Sequence, residues 1–102
     1  MFSEFIMTLK QLYKIIEKRK KQQLSDSYVY QLLSKGTDRI VQKIGEEAIE
    51  VAIAGKNGQR REIISESADL LFHLLILLID KKIKLSEIET ELFERNNKTG
   101  VI

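Results

Sequence analysis

Cysteine and proline are both absent from the 102 residues of this chain, and glycine occurs only five times. Without cysteine there can be no disulfide, no zinc–thiolate site and no cysteine nucleophile. Proline ends or kinks helices and glycine weakens them, so their scarcity favours long, uninterrupted helices. The composition therefore predicts an all-α fold.

An excess of charge of one sign is also missing. The chain carries 17 Lys and Arg against 15 Asp and Glu, a formal net charge of +2. Because this excess is small, we expect no nucleic-acid partner that binds through bulk electrostatics.

No long hydrophobic run is present. The most apolar stretch, Leu70–Ile79, is ten residues long and is interrupted by His73. That is about half of the ~20 residues that a membrane-spanning helix needs. Glu4 and Lys10 interrupt the apolar pattern of the N-terminus, which therefore does not resemble a secretory signal. We expect a cytoplasmic protein with no membrane partner.

The length suits one domain over residues 1–102. Hydrophobic residues make up 43% and charged residues 31%, a balance typical of globular proteins. A chain of this size buries a modest fraction of its surface. The apolar residues of 70–79 exceed what four short helices can cover, so we expect a homodimer.

Five helices are predicted from hydrophobic periodicity and capping residues. Their approximate bounds, in chain order, are 3–23, 28–34, 37–54, 60–82 and 86–95. Ser25 or Ser27 is the predicted N-cap of the second helix, and Gly36 in the left-handed conformation is predicted to end it. Thr37 is the predicted N-cap of the third helix, and Ser86 with Glu89 has the spacing of a capping box at the start of the last. Residues 96–102 are left as a flexible or partner-docked tail.

Two of these helices carry acidic strips beside their core faces. On a wheel of about 100° per residue, Lys43, Glu47 and Glu50 of the third helix lie close together, and Glu46 lies about 40° further out. The strip on the fourth helix consists of Glu62, Glu66, Asp69, His73 and Asp80. Apolar residues cover nearly every other direction of the fourth helix, so we expect that helix to be buried all round.

Two such strips facing one another would repel, and the pKa values of their carboxyl groups would rise. A divalent cation resolves this conflict, and ligands that are all oxygen favour Mg²⁺ first and Mn²⁺ second. Each acidic motif alone is usually a solvated helix face. The occurrence of both on successive helices at the edge of the core makes a metal site the better interpretation.

Five segments occur in a fixed order along the chain: Leu12-Tyr13 with Arg19-Lys20, Ser27-Tyr28 with Leu32-Leu33 and Gly36, Lys43 to Ala48 with Glu50-Val51, Glu66 to Leu75, and Glu91-Leu92 with Arg95. In these segments, from about Leu12 to Arg95, the chain resembles the phosphoribosyl-ATP pyrophosphatase family of histidine biosynthesis. The family usually has tyrosine in place of Phe72 and often threonine in place of Val29. The glutamate motifs alone mark only the broader superfamily of all-helical MazG-like pyrophosphatases.

The resemblance implies that phosphoribosyl-ATP and water give phosphoribosyl-AMP and pyrophosphate with the help of magnesium. It also implies a MazG-like four-helix core and a dimer. Glu47, Glu50, Glu66 and Asp69 match the family's metal ligands. Glu46 is the next candidate, either as a ligand or as the carboxylate that orients the attacking water.

Several residues are candidates for substrate contact, and each has a structural alternative. Lys43 would hold a phosphate or form a salt bridge with Glu47. Arg19 and Lys20 would bind phosphate or end a helix in solvent. His73 would orient a neighbour or contact substrate, or it is a core histidine with its hydrogen bonds satisfied. Arg95 would reach the substrate or simply end its helix. Tyr13 and Tyr28 could stack on a base, but we expect both in the core.

Two other functions remain open at this point. One is a house-cleaning nucleoside triphosphate pyrophosphatase of the MazG or dUTPase type. The other is a non-catalytic helical dimerisation module. The five acidic residues argue against the module, because their mutual repulsion gives no benefit without chemistry.

Overall fold

The computed structural model describes residues 5–99, which form five α-helices and no strand. The helices are α1 (Leu9–Gln22), α2 (Tyr28–Lys35), α3 (Thr37–Asn57), α4 (Arg60–Asp80) and α5 (Leu85–Thr99). The most extensive packing is between α3 and α4, and α1 and α2 pack against this pair. Contacts of α5 with the other helices are sparse. The prediction of an all-α chain with five helices around a four-helix core is confirmed.

The hydrophobic core lies where α1, α2, α3 and α4 meet. Ile16, Ile40 and Ile76 are completely inaccessible, and each comes from a different helix. The other buried members of this core are Val29, Leu32, Leu75 and Ile79. Burial of one such side chain stabilises the fold by about 1.5–3 kcal/mol, so these few residues fix how the four helices pack.

Helix α1 begins later than its apolar stripe predicts. The Thr8 hydroxyl accepts a hydrogen bond from the Gln11 backbone N–H at 3.1 Å, and the Gln11 side chain accepts one from the Thr8 N–H at 2.8 Å. This capping box starts the helix at Leu9, and Phe5 stays exposed. The predicted start near residue 3 is therefore wrong for residues 5–8, and residues 3 and 4 lie outside the described part.

The junction between α2 and α3 is confirmed at one cap and wrong at the other. Ser27 caps α2 as predicted, through its side-chain oxygen and the Tyr30 N–H at 3.3 Å. Gly36 takes φ +95° and ψ 175°, a region open essentially to glycine alone but not the left-handed helical region that was predicted. Gly36 is also the N-cap of α3, so Thr37 is its first helical residue. The Thr37 hydroxyl instead donates to Asp80 Oδ2 at 2.7 Å.

The hairpin of α3 and α4 turns at Gly58. The helix continues past Ala54, the predicted end, to Asn57, because Gly58 takes the left-handed C-cap conformation with φ +69°. Its N–H donates to the carbonyl of Ala54 at 3.0 Å. At the far end, α4 stops at Asp80, two residues before the predicted Lys82.

The last helix is longer than predicted at both ends. The Glu87 carboxylate accepts a hydrogen bond from the Lys84 backbone N–H at 2.8 Å, so α5 starts at Leu85 and Ser86 is not its cap. The helix continues to Thr99 instead of ending near Arg95. Residues 100–102 of the predicted tail lie outside the described part, and docking of the tail on a partner stays a prediction.

Helix α4 is not buried on all sides in the single chain, contrary to the prediction. Leu71 and Leu74 keep 42% and 37% of their surface exposed, because α1, α2 and α3 leave one side of α4 uncovered. Tyr13 of α1 is half-buried, as expected for a core residue, and its hydroxyl donates to the Ile83 carbonyl at 2.8 Å. Among residues 5–99, no helix combines the length and apolarity needed to cross a bilayer.

Candidate active site

The contact between α3 and α4 gathers carboxylates from both helices. Glu66 and Asp69 are three residues apart, so they lie on one face of α4. Glu47 of α3 faces them, and one carboxylate oxygen from each of the three residues lies within 4.8 Å of the other two. Three of the four predicted metal ligands therefore form one cluster.

Glu50, the fourth predicted ligand, lies one turn along α3 from Glu47. It is not part of the tightest group, but it lines a small cavity of about 160 Å³ together with Glu62 and Glu66. Glu66 is thus shared between the cluster and this cavity. The structure brings all four predicted ligands to the same region of the α3–α4 contact.

The carboxyl group of Glu66 shows the effect of this crowding. Its pKa rises from an ordinary value of 4.5 to about 7. The largest cause is Glu50, with which a protonated Glu66 carboxyl group can form a hydrogen bond. Desolvation by burial and the negative charge of Glu50 follow, and Glu47 then raises the pKa of Glu66 in the same two ways as Glu50. The expectation that facing carboxylates raise a pKa is confirmed at Glu66.

Two oxygens of the cluster are buried without a hydrogen-bond partner among the described residues: Glu47 Oε2 and Glu66 Oε2. A buried carboxylate oxygen is costly unless a donor or a cation compensates it. Since every donor atom here is a carboxylate oxygen, the set fits a hard divalent cation such as Mg²⁺ or Mn²⁺.

Lys43 lies beside the cluster on α3. Its ammonium nitrogen is 3.5 Å from Glu47 Oε1 and 3.9 Å from Glu46 Oε1. This is the geometry of the salt-bridge alternative, and it leaves Glu47 Oε2 without a hydrogen-bond partner among the described residues. Glu46 is half-exposed, and its other oxygen accepts a 3.5 Å hydrogen bond from Gln42, so Glu46 lies at the rim.

His73 is buried one turn after Asp69. Its Nδ1 lies 2.8 Å from the Asp69 backbone carbonyl, and its Nε2 lies 2.7 Å from the Tyr28 hydroxyl. Because a carbonyl only accepts, Nδ1 carries a proton, and in the neutral imidazole Nε2 accepts from the tyrosine. Both ring nitrogens are engaged, which is the arrangement of the satisfied core histidine.

The other predicted substrate contacts lie apart from the carboxylates. Arg19 and Lys20 line two separate cavities, neither of which includes any of the five predicted catalytic carboxylates. Arg95 forms an ion pair with Glu91 at 2.8 Å along the exposed helix α5. Their contacts with substrate stay predictions.

Two further residues near the site are Glu62, whose place at the cavity the sequence did not predict, and Tyr28, whose predicted burial is wrong. Glu62 was placed on the acidic strip but not among the ligands, although its spacing of four residues from Glu66 puts both on one helix face. Tyr28 was expected in the core but is 46% exposed. As the first residue of α2, it lacks the preceding helical turn that would help to cover its ring.

Comparisons with known proteins match nearly the whole chain, including α3 and α4, which carry the carboxylates. The model of the family described as phosphoribosyl-ATP pyrophosphohydrolase matches residues 9–96. A phosphoribosyl-ATP pyrophosphatase of Bacillus cytotoxicus is 50% identical over 90 residues, which are 88% of this chain and 84% of the relative. The relatives of the same name from Bacillus mycoides and Bacillus cereus are 49% and 47% identical, over 88% and 89% of this chain and 84% and 85% of their own lengths.

Proposed function

This chain belongs to the phosphoribosyl-ATP pyrophosphohydrolase family, and from that premise we propose how it acts. It is a hydrolase that converts phosphoribosyl-ATP and water to phosphoribosyl-AMP and pyrophosphate, the second step of histidine biosynthesis. The reaction takes place at the carboxylates between α3 and α4. The observation that supports this location is the meeting of Glu47, Glu66 and Asp69, with two buried oxygens that have no hydrogen-bond partner.

Glu47, Glu50, Glu66 and Asp69 would hold Mg²⁺, or Mn²⁺ in its place. The cation supplies the positive charge that neutralises the phosphates and the leaving pyrophosphate. Glu46, at the rim, either joins the ligands or orients the attacking water. In the reaction the water oxygen bonds to the α-phosphorus, the bond to the bridging oxygen breaks, and the water proton passes to a carboxylate and then to solvent.

Lys43 forms ion pairs with two of the candidate catalytic carboxylates, and we assign it to a substrate phosphate. Its present partners, Glu46 and Glu47, lie at 3.9 and 3.5 Å, so the ammonium group moves little to reach a phosphate beside them. Arg19, Lys20 and Arg95 would contact more distant groups of the substrate. His73 orients the turn of α4 that carries Asp69 through its hydrogen bond to that residue's carbonyl.

A homodimer is part of this proposal. Large apolar side chains of α3 and α4, including Ile49, Ile53, Leu71 and Leu74, remain exposed in the single chain. Large exposed apolar side chains on two neighbouring helices are typical of a protein–protein interface. We also propose a cytoplasmic location, as for an enzyme of nucleotide and amino-acid metabolism.

One assay tests the function against its alternatives. The protein is incubated with Mg²⁺ and, in parallel, with phosphoribosyl-ATP, dUTP or dCTP, and released pyrophosphate is measured. We expect turnover of phosphoribosyl-ATP. A preference for dUTP or dCTP would favour a house-cleaning pyrophosphatase, and no turnover of any of them would favour a non-catalytic module.

A further inference from the structure

A second concave surface lies between the end of α1, the start of α2 and the middle of α4. This cleft has a volume of about 480 Å³. That value falls within the roughly 300–1,000 Å³ of small-molecule sites. The cleft is mainly apolar, with walls that include Ile15, Leu24 and Phe72, and its charged residues are Arg19 and Asp26.

Tyr28 presents an aromatic ring to this cleft. Its hydroxyl is bonded to His73 Nε2 at 2.7 Å, and its ring stacks on Phe72 with centroids 6.0 Å apart and planes inclined by 28°. The ring is therefore held by two contacts while 46% of the residue stays exposed. A ring that is fixed in place and open to solvent offers a stacking surface at low entropic cost.

The cleft and the carboxylates share α4 as a common wall. Phe72 follows Asp69 by three residues, which is about 4.5 Å along the helix axis. His73, which anchors Tyr28, also bonds to the Asp69 carbonyl at 2.8 Å. The cleft and the carboxylates therefore lie on adjoining faces of α4.

We propose that this cleft binds the purine base of the nucleotide substrate and that Tyr28 stacks on it. The inference rests on the proposed function, because it takes the phosphates to lie at Glu47, Glu66 and Asp69. A purine has two apolar faces and a polar edge, which match the apolar walls and the two charged residues of the cleft. Arg19 lines the cleft, and its guanidinium, which donates to Gln22 Oε1 at 3.0 Å in the single chain, is the cationic group available there.

Direct binding of AMP in the presence of Mg²⁺ tests the cleft without requiring turnover. Binding of AMP is followed by saturation-transfer NMR of the adenine protons, and binding of inorganic pyrophosphate, the second probe, is followed by ³¹P NMR. For Tyr28→Leu we expect AMP binding to weaken roughly 5- to 150-fold, the range found when a stacking ring is removed. Tyr28→Phe retains the ring and should stay within about threefold of the wild type. Pyrophosphate binding should not change in either variant.

Tyr30→Leu is the matched control, since Tyr30 lies on the same helix but lines a different cavity. It should bind AMP as the wild type does. Equal AMP binding by Tyr28→Leu and the wild type would overturn the proposal, as would an equal loss in Tyr30→Leu. If Tyr28→Leu lost AMP binding but the wild type did not hydrolyse phosphoribosyl-ATP, the proposed function would be refuted while the assignment of the cleft to a purine base would remain.

A second variant keeps the test decisive if Tyr28→Leu does not fold. Leu24 is 49% exposed at the cleft wall and lies outside the helices, and the chain has no tryptophan. Leu24→Trp therefore places a single tryptophan at the cleft, and its emission can be excited at about 295 nm without exciting the tyrosines. We expect AMP to change its emission and pyrophosphate to leave it unchanged; no response to AMP, for example because a second chain covers the cleft, would refute the base site.

Discussion

Replacement of Glu66 by glutamine should show how the raised pKa of this carboxyl group affects both the stability of the fold and the binding of Mg²⁺. The native carboxyl has a pKa of about 7 against an ordinary 4.5, so between these values the folded chain holds a proton that the unfolded chain has lost. Stability therefore falls as pH rises through this window, because the native state binds more protons there. The difference approaches about one proton per chain in the middle of the window.

Magnesium should reverse this trend, because the ion competes with the same proton. Each ion bound releases up to about one proton, so the apparent Mg²⁺ affinity should rise up to about tenfold per pH unit until pH 7 and then level off. Glu66→Gln mimics the protonated state and lacks the ligand. It should lose both the fall in stability and the stabilisation by Mg²⁺.

Thermal unfolding of the wild type and Glu66→Gln, measured from pH 4.5 to 8 with EDTA and with Mg²⁺, checks this reasoning. The difference between the two proteins isolates Glu66 from all other titrating groups. In EDTA the wild type should lose stability relative to the variant as pH rises. If the stabilities of the two proteins changed in parallel with pH, or if the wild type became more stable relative to the variant as pH rose, the argument that Glu50 and Glu47 raise the pKa of Glu66 would be refuted.

Three further predictions concern the ligands, the hairpin turn and the exposed apolar face. Glu50→Ala and Asp69→Ala should each lower kcat on the order of a thousandfold with the melting temperature retained, whereas Glu89→Ala on exposed α5 should not; a loss below about tenfold would mean that the site is misplaced. Gly58→Ala should destabilise the fold by about 1–2 kcal/mol in urea because φ is +69°, while Gly55→Ala, inside α3 with open space at its Cβ position, should not. Leu71→Lys should convert the expected dimer to a species of 11.8 kDa by light scattering, and a wild type that is already monomeric would contradict the dimer proposal.

The helices were predictable because their signals are local. Ser27 caps α2 through a hydrogen bond to a residue three positions away, and periodicity alone identified α3 and α4. The errors lie where two local signals compete. Thr8 and Gln11 form a capping box that starts α1 at Leu9, after the first residues of its apolar stripe. Gly36 is both the C-cap of α2 and the N-cap of α3, so Thr37 is not the N-cap that was predicted.

The site was predictable to the extent that one helix determines it. A wheel gives the direction of Glu66 and Asp69 on α4, but it does not give the rotation of α3 against α4. That rotation decides that Glu47 meets them within 4.8 Å while Glu50 turns to the cavity shared with Glu62. The exposure of Tyr28 likewise depends on how α1 and α4 meet around α2, which no single-helix pattern contains.

The hairpin of α3 and α4 places its attractive and repulsive contacts at different ends. Ile40, Ile76 and Ile79 pack near one end, where Thr37 also bonds to Asp80 at 2.7 Å. The carboxylates occupy the part nearer the Gly58 turn, where they repel one another. Since each buried isoleucine stabilises the fold by about 1.5–3 kcal/mol, packing at the first end holds the helices together while the second remains under electrostatic strain. A cation at the carboxylates would relieve that strain without any need to rearrange the core, so metal binding should raise the stability of the fold without changing how the helices pack.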